Sequence, residues 1–168
     1  KERSCGFCEK IPSYYMNIFV LDEDIETCAR YHCDKHVVKM ILESAQMLCT
    51  VNSKLGLETP YKPVHPKHPC TLWAGRSLSN WKWLKELSYH LNNEYVRRYQ
   101  KPFHKSWKVI ESLDIPDIED VGLTCFAQAM PPLYKQDFAV NAYRDYYLGE
   151  KRGFATWKNT DIPSWWIT

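Results

Sequence analysis

The clearest apolar pattern begins at Met16-Asn17-Ile18-Phe19-Val20-Leu21, a run too short for a helix and followed by carboxylates. It predicts an extended segment, with a lone strand as its regular form. Asp22-Glu23-Asp24 then supplies N-cap candidates and first-turn acids, so a first helix is expected over about 25–51. Within it Val37, Val38, Ile41, Leu42, Ala45, Leu48 and Cys49 recur at helical spacing and mark an arc for the core. Residues 52–70 carry Gly56, Pro60, Pro63, Pro66 and Pro69, which exclude regular structure. The helical period resumes near 71 and runs to about 99, with Trp73, Leu84, Leu87, Leu91 and Tyr95 on one face. A short helix over 105–113 follows, then an irregular stretch over 116–132. The last helix is expected from near Asp137 to Leu148-Gly149, where glycine is a natural stop. The fold expected is mainly α: one compact domain of three to four helices over 16–168, with long Pro-rich loops and a short N-terminal extended segment. A Cys-containing leader, 1–15, precedes it.

Composition narrows the function classes. A chain of 168 residues buries about two-thirds of its unfolded surface and needs no disulfide or metal staple. With 22 Lys and Arg against 20 Asp and Glu, bulk charge makes no case for nucleic acid, so any basic site is local. Seven Trp, 11 Tyr and 6 Phe against 6 Gly exclude a disordered chain. No apolar run is long enough for a bilayer, so no membrane partner is expected. Seven irregularly spaced cysteines do not form a secreted disulfide framework, and a reducing, cytoplasmic setting is expected. Cys5-Gly6-Phe7-Cys8 is half of a zinc-knuckle signature, and no second CxxC follows. No signal-peptide pattern opens the chain, which starts at Lys1 and reads as processed or as a piece of something longer.

The candidate chemistry lies on the first helix. With Glu43 set at zero on the helical wheel, His36, His32, Lys39 and Gln46 fall within about 60° of it. Two readings stand: an ordinary polar face or hydrogen-bond ladder, and a cleft wall of acid–base groups in which Glu is a base and Lys holds phosphate or forms an imine. Asp34 lies in the middle of the apolar arc, so a buried partner is expected, Arg76 or Arg98 on the second helix. His32 and His36 have the i, i+4 spacing of a metal pair, and His68 in the Pro-rich loop is a third candidate ligand. No cofactor is favoured, and zinc is the one candidate. His68 equally suits a cleft rim. On the second helix Arg76 and Asn80 are candidate site residues, and Glu94 and Arg98 a local pair. The stretch Ala142-Tyr143-Arg144-Asp145-Tyr146-Tyr147, with Lys151-Arg152 and Trp157-Lys158 after it, interleaves aromatic rings with positive charge and is the most nucleic-acid-like patch of the chain.

From Met16 the sequence resembles a group of phage and viral proteins. The motifs are a YHxDKHVVKMxLE-type helix at residues 31–43, an HPxxxW segment at 68–73 and an AMPxxYK segment at 129–135. That resemblance implies no function by itself. In layout the chain is more remotely similar to the phage-type pyrimidine-dimer DNA glycosylases, the endonuclease V family. This implies base excision followed by strand cleavage, in which an amine attacks the sugar C1′ to form an imine and a glutamate assists. Carried over, Glu43 would be the acid–base carboxylate, Lys39 and Arg76 phosphate contacts, and Trp157 or Tyr147 would lie near the DNA. The family uses its own N-terminal amine. Here fifteen residues precede Met16, so Lys39, then Lys35, would have to replace it.

The first expectation is therefore an enzyme acting on DNA or a nucleotide, a glycosylase or lyase. Its catalytic set is Glu43, Lys39, His36 and His68, and its substrate contacts are Lys35, Gln46, Arg76, Asn80, Tyr147 and Trp157. Two alternatives are a hydrolase or nuclease with a metal on His32, His36 and His68, and a non-catalytic nucleic-acid-binding module.

Overall fold

The computed structural model describes residues 16–167. The Cys5 and Cys8 pair and the rest of the expected leader lie outside the described residues. Six α-helices follow in order: α1 (Ile25–Tyr31), α2 (Asp34–Lys54), α3 (Pro69–Arg76), α4 (Leu78–Tyr99), α5 (Lys105–Ser112) and α6 (Ala139–Glu150). A 3-10 turn, Pro132–Tyr134, precedes α6. There is no strand among the described residues: residues 16–21 are extended and buried but pair with no neighbour as a ladder.

Helix count exceeds the expectation of three to four because both long helices are broken. The first breaks at His32-Cys33, where Cys33 is extended (φ −66°, ψ 161°). The buried Arg98 guanidinium of α4 takes the freed carbonyls, donating to Arg30 O at 2.8 Å and His32 O at 2.7 Å. Trp157 Nε1 takes Tyr31 O at 2.9 Å. These bonds satisfy acceptors that a helix end leaves open. Asp34 meets the same Arg98 at 3.1 Å. It also accepts from the Lys158 amide at 2.9 Å and the Thr156 hydroxyl at 2.9 Å, so it ties α2 to the C-terminal segment. Of the two arginines expected, Arg98 is the partner.

The second long helix breaks at Ser77 (φ −149°, ψ 146°). The Ser77 hydroxyl donates to Asp120 at 3.1 Å and accepts from the Val121 amide at 3.1 Å. Asp120 also takes the Ser79 amide at 3.2 Å and hydroxyl at 2.6 Å, capping α4 from a distant loop. These bonds and that of the Gly122 amide hold the Asp120 carboxyl down to about 2.

Helix α2 is the axis of the molecule and packs against α3, α4 and α5. Before its last turn, its exposed residues are Lys35, Lys39 and Leu42, with Gln46 half-buried at the next step. This is one stripe at spacings of four, three and four. The rest of the expected polar face is covered by residues 16–21 and by α6. In α6, Gly149 lies inside the helix rather than ending it, since Tyr134 packs where its Cβ would be. Among the described residues no helix is long and apolar enough to cross a membrane.

Candidate active site around Glu43

Glu43 sits beside the exposed stripe of α2 but is itself only 6% exposed. What covers it is the extended segment. The Asn17 amide donates to Glu43 Oε1 at 3.0 Å. Asn17 is in turn fixed from three sides. Its Nδ2 donates to Ala129 O at 2.7 Å, its Oδ1 accepts from the fully buried Tyr143 hydroxyl at 2.8 Å, and the Cys70 thiol lies 3.9 Å away. The second carboxylate oxygen, Oε2, is buried and accepts no hydrogen bond among the described residues. Lys39 Nζ approaches it to 3.8 Å.

Burial pushes the Glu43 carboxyl up to about 7, against the pull of Lys39, the Asn17 amide and Lys151. A carboxyl that titrates near neutrality holds and releases a proton with comparable ease, which suits general acid–base work. It lines a hollow of about 320 Å³ with Met16, Lys39, Leu42, Gln46, Val64 and His65. That volume is at the lower end of small-ligand sites, which run from roughly 300 to 1,000 Å³.

The remaining expected site residues divide. Lys39 and Gln46 line the hollow, and Lys35 stands on the same stripe, 5.1 Å from the Phe154 ring centroid. His36 is buried, stacked on Phe19 at 4.4 Å, and shares a 2.6 Å hydrogen bond with the Tyr147 hydroxyl. Desolvation, aided by His32, Lys151 and Lys39, lowers it to about 2, so it is a neutral, structural ring at ordinary pH. His68 is the N-cap of α3, where its Nδ1 accepts from the Cys70 amide at 3.1 Å. Arg76 is exposed at the end of α3 and does not line the hollow. Asn80 is fully buried, donating to Trp73 O at 2.8 Å and Thr124 Oγ1 at 2.7 Å. Tyr147 is fully buried, and Trp157 is half-buried against the end of α1.

The helix break takes His32 off the helix that carries His36. His32 lies outside α2, fully buried, with Nδ1 2.7 Å from Cys28 O, and burial lowers it to about 4. Among the described residues no three His, Cys, Asp or Glu side chains gather as a metal site would require. His32, His36 and His68 therefore do not fit a shared zinc ion.

The aromatic-basic tail is largely self-satisfied. Arg144 lies over Tyr31 and Trp165 and pairs with Asp22 at 2.8 Å, and Arg152 lies over Trp166. Sequence reasoning missed Asn17, which holds Glu43. Its signal was the one polar residue inside the apolar run 16–21. Comparison with protein-family models, with curated proteins and with solved structures finds no match.

Proposed function

We propose that the chain is a nucleic-acid-acting enzyme, a DNA base-excision glycosylase or lyase, with Glu43 as its acid–base carboxylate. One observation carries the reading. A buried carboxyl, raised to about 7, presents an oxygen without a hydrogen bond beside a lysine at the wall of a hollow. Most buried side-chain oxygens are hydrogen-bonded, so the open Oε2 supports a role beyond structure. Exposed Lys35 and Lys39, with half-buried Gln46 on the same stripe, supply positive and amide groups for a phosphodiester leading into the hollow.

The resemblance in layout to the pyrimidine-dimer glycosylases adds a second support. In that family the attacking amine is N-terminal. The backbone nitrogen of Asn17 lies 3.0 Å from the Glu43 carboxylate. A chain beginning at Asn17 would thus carry a primary amine at the place the resemblance calls for. In the longer chain the amine must come from a lysine, for which the sequence offers Lys39 first. Cys28, Cys33, Cys49, Cys70 and Cys125 are free thiols, in keeping with a reducing, cytoplasmic setting.

The test is borohydride trapping on duplex DNA that carries an abasic site or a pyrimidine dimer. A covalent protein–DNA adduct is expected. DNA that is bound in a salt-dependent way, without adduct or strand cleavage, would make the chain a binding module instead.

A further inference from the structure

The hollow at Glu43 has walls of two origins. Helix α2 brings Lys39, Leu42, Glu43 and Gln46, and the loop after it brings Val64 and His65. His65 is half-buried, and among the described residues it is the one polar group that lines the hollow from outside α2. Its backbone is left-handed, with φ 45°. Residues with a side chain seldom adopt this region, and Pro66 disfavours it further because a residue before proline is pushed toward the extended region.

That strain is held from both sides. The Val64 amide donates to the buried Thr50 hydroxyl of α2 at 3.0 Å, and this hydroxyl donates to Gln46 O at 2.7 Å. Lys54 Nζ donates to Pro66 O at 3.2 Å, and the His68 amide closes a turn on His65 O at 3.0 Å. The loop is thus tied to α2 before and after His65, and the strained residue between the ties is one that lines the hollow. Backbone strain of this kind persists where surrounding structure over-determines it, and it clusters at ligand sites. A second observation points to a ligand in the same hollow: Glu43, 6% exposed, keeps Oε2 without a hydrogen bond there.

A direct displacement at a sugar C1′ puts the incoming amine and the departing base on opposite faces of that carbon. The lysine and carboxylate of the function proposed above both belong to α2, which leaves the loop wall for the base. Resting on that function, we infer that His65 is a substrate contact whose ring N–H donates a hydrogen bond to a carbonyl oxygen of the departing pyrimidine. The amine's electron pair forms the new C–N bond as the C1′–N1 bond breaks. The pair of the broken bond passes to the base, where it spreads over N1 and the carbonyl oxygen. The Glu43 carboxylate takes the proton that the attached nitrogen gives up. The base leaves as an anion, and the hydrogen bond from His65 stabilises the charge as it develops. No oxidant or reductant enters the step.

The experiment compares wild type and His65→Gly in the full chain. It measures the rate of borohydride-trapped adduct on duplex DNA carrying a pyrimidine dimer and on duplex DNA carrying an abasic site. Glycine adopts the left-handed backbone without strain. Any loss of folded protein lowers both rates by one factor and cancels from their ratio. The abasic substrate has no base to release, so the ratio of dimer to abasic rates is expected to fall by about 100-fold in the variant. An unchanged ratio overturns the role of His65 and leaves the proposed function standing. Wild-type adduct on abasic DNA with none on the dimer duplex does the same, since no base then departs. Absence of adduct on either substrate overturns both.

Discussion

At the scale of single residues, Glu43 and Tyr143 make measurable predictions. The Glu43 carboxyl rises from 4.5 to about 7 on folding, so the native chain binds the extra proton. Its contribution to stability is full below about pH 4.5 and is lost as pH climbs through 7. The change is on the order of 3 kcal/mol. His32 and His36 act with the opposite sign. Both are lowered on folding, so their contribution is present above about 6.5 and is lost on acidification. Denaturant titrations of wild type and Glu43→Gln across pH 4.5–8 isolate the carboxyl, because the histidines are common to both. Wild type should lose stability relative to the variant as pH rises, and parallel curves would remove the raised carboxyl from the account. Tyr143→Phe removes the hydroxyl that holds Asn17 Oδ1 and receives the Ala129 amide at 3.2 Å. An expected loss of about 1–3 kcal/mol follows from the orphaned buried groups. Unchanged melting would show that Asn17 does not depend on it.

At the scale of elements, the two helix breaks explain what was legible in the sequence and what was not. The N-cap at Asp24 was readable, and it accepts the Thr27 amide at 3.0 Å as that residue type should. The start of α4 carried a weaker sign, since Ser77 is a capping residue lying within an otherwise helical period. The break at His32-Cys33 carried none. No glycine or proline marks it, and its cause is Arg98, more than sixty residues away along the chain. The wheel therefore puts His32 and His36 on one helix, whereas His32 precedes α2 and only His36 lies on it. Glu43, Lys39 and Gln46 keep their relative placement because they lie within the unbroken part. Arg98→Met should destabilise the fold by about 3–5 kcal/mol, since Asp34 and the end of α1 lose their buried cation together. Arg98→Lys should recover only part of this, a compact ammonium being unable to reach three oxygens in a plane. Equal melting temperatures for the two variants would contradict the capping role. Gly149→Ala should cost about 1–3 kcal/mol, because a methyl there displaces Tyr134 from α6.

At the scale of the molecule, the aromatic excess and the near-zero charge fall into one picture. The rings wrap the central helix and its broken ends, and several sit against a cation inside the fold: Lys151 among Phe19, Tyr146 and Phe154, and Arg144 between Tyr31 and Trp165. Much of the tail's charge is thus spent within the protein. The stripe through Lys35 and Lys39 stays open beside the hollow at Glu43. Binding of DNA through this stripe should weaken with salt, and Lys35→Ala with Lys39→Ala should flatten that dependence by about two phosphate contacts. The most direct measurement is the pH profile of strand incision at an abasic site by wild type and Glu43→Gln. The account predicts wild-type incision controlled by a group titrating near 7 and a loss of about 100-fold or more in the variant. Incision by Glu43→Gln at the wild-type rate, with an unchanged profile, would contradict it.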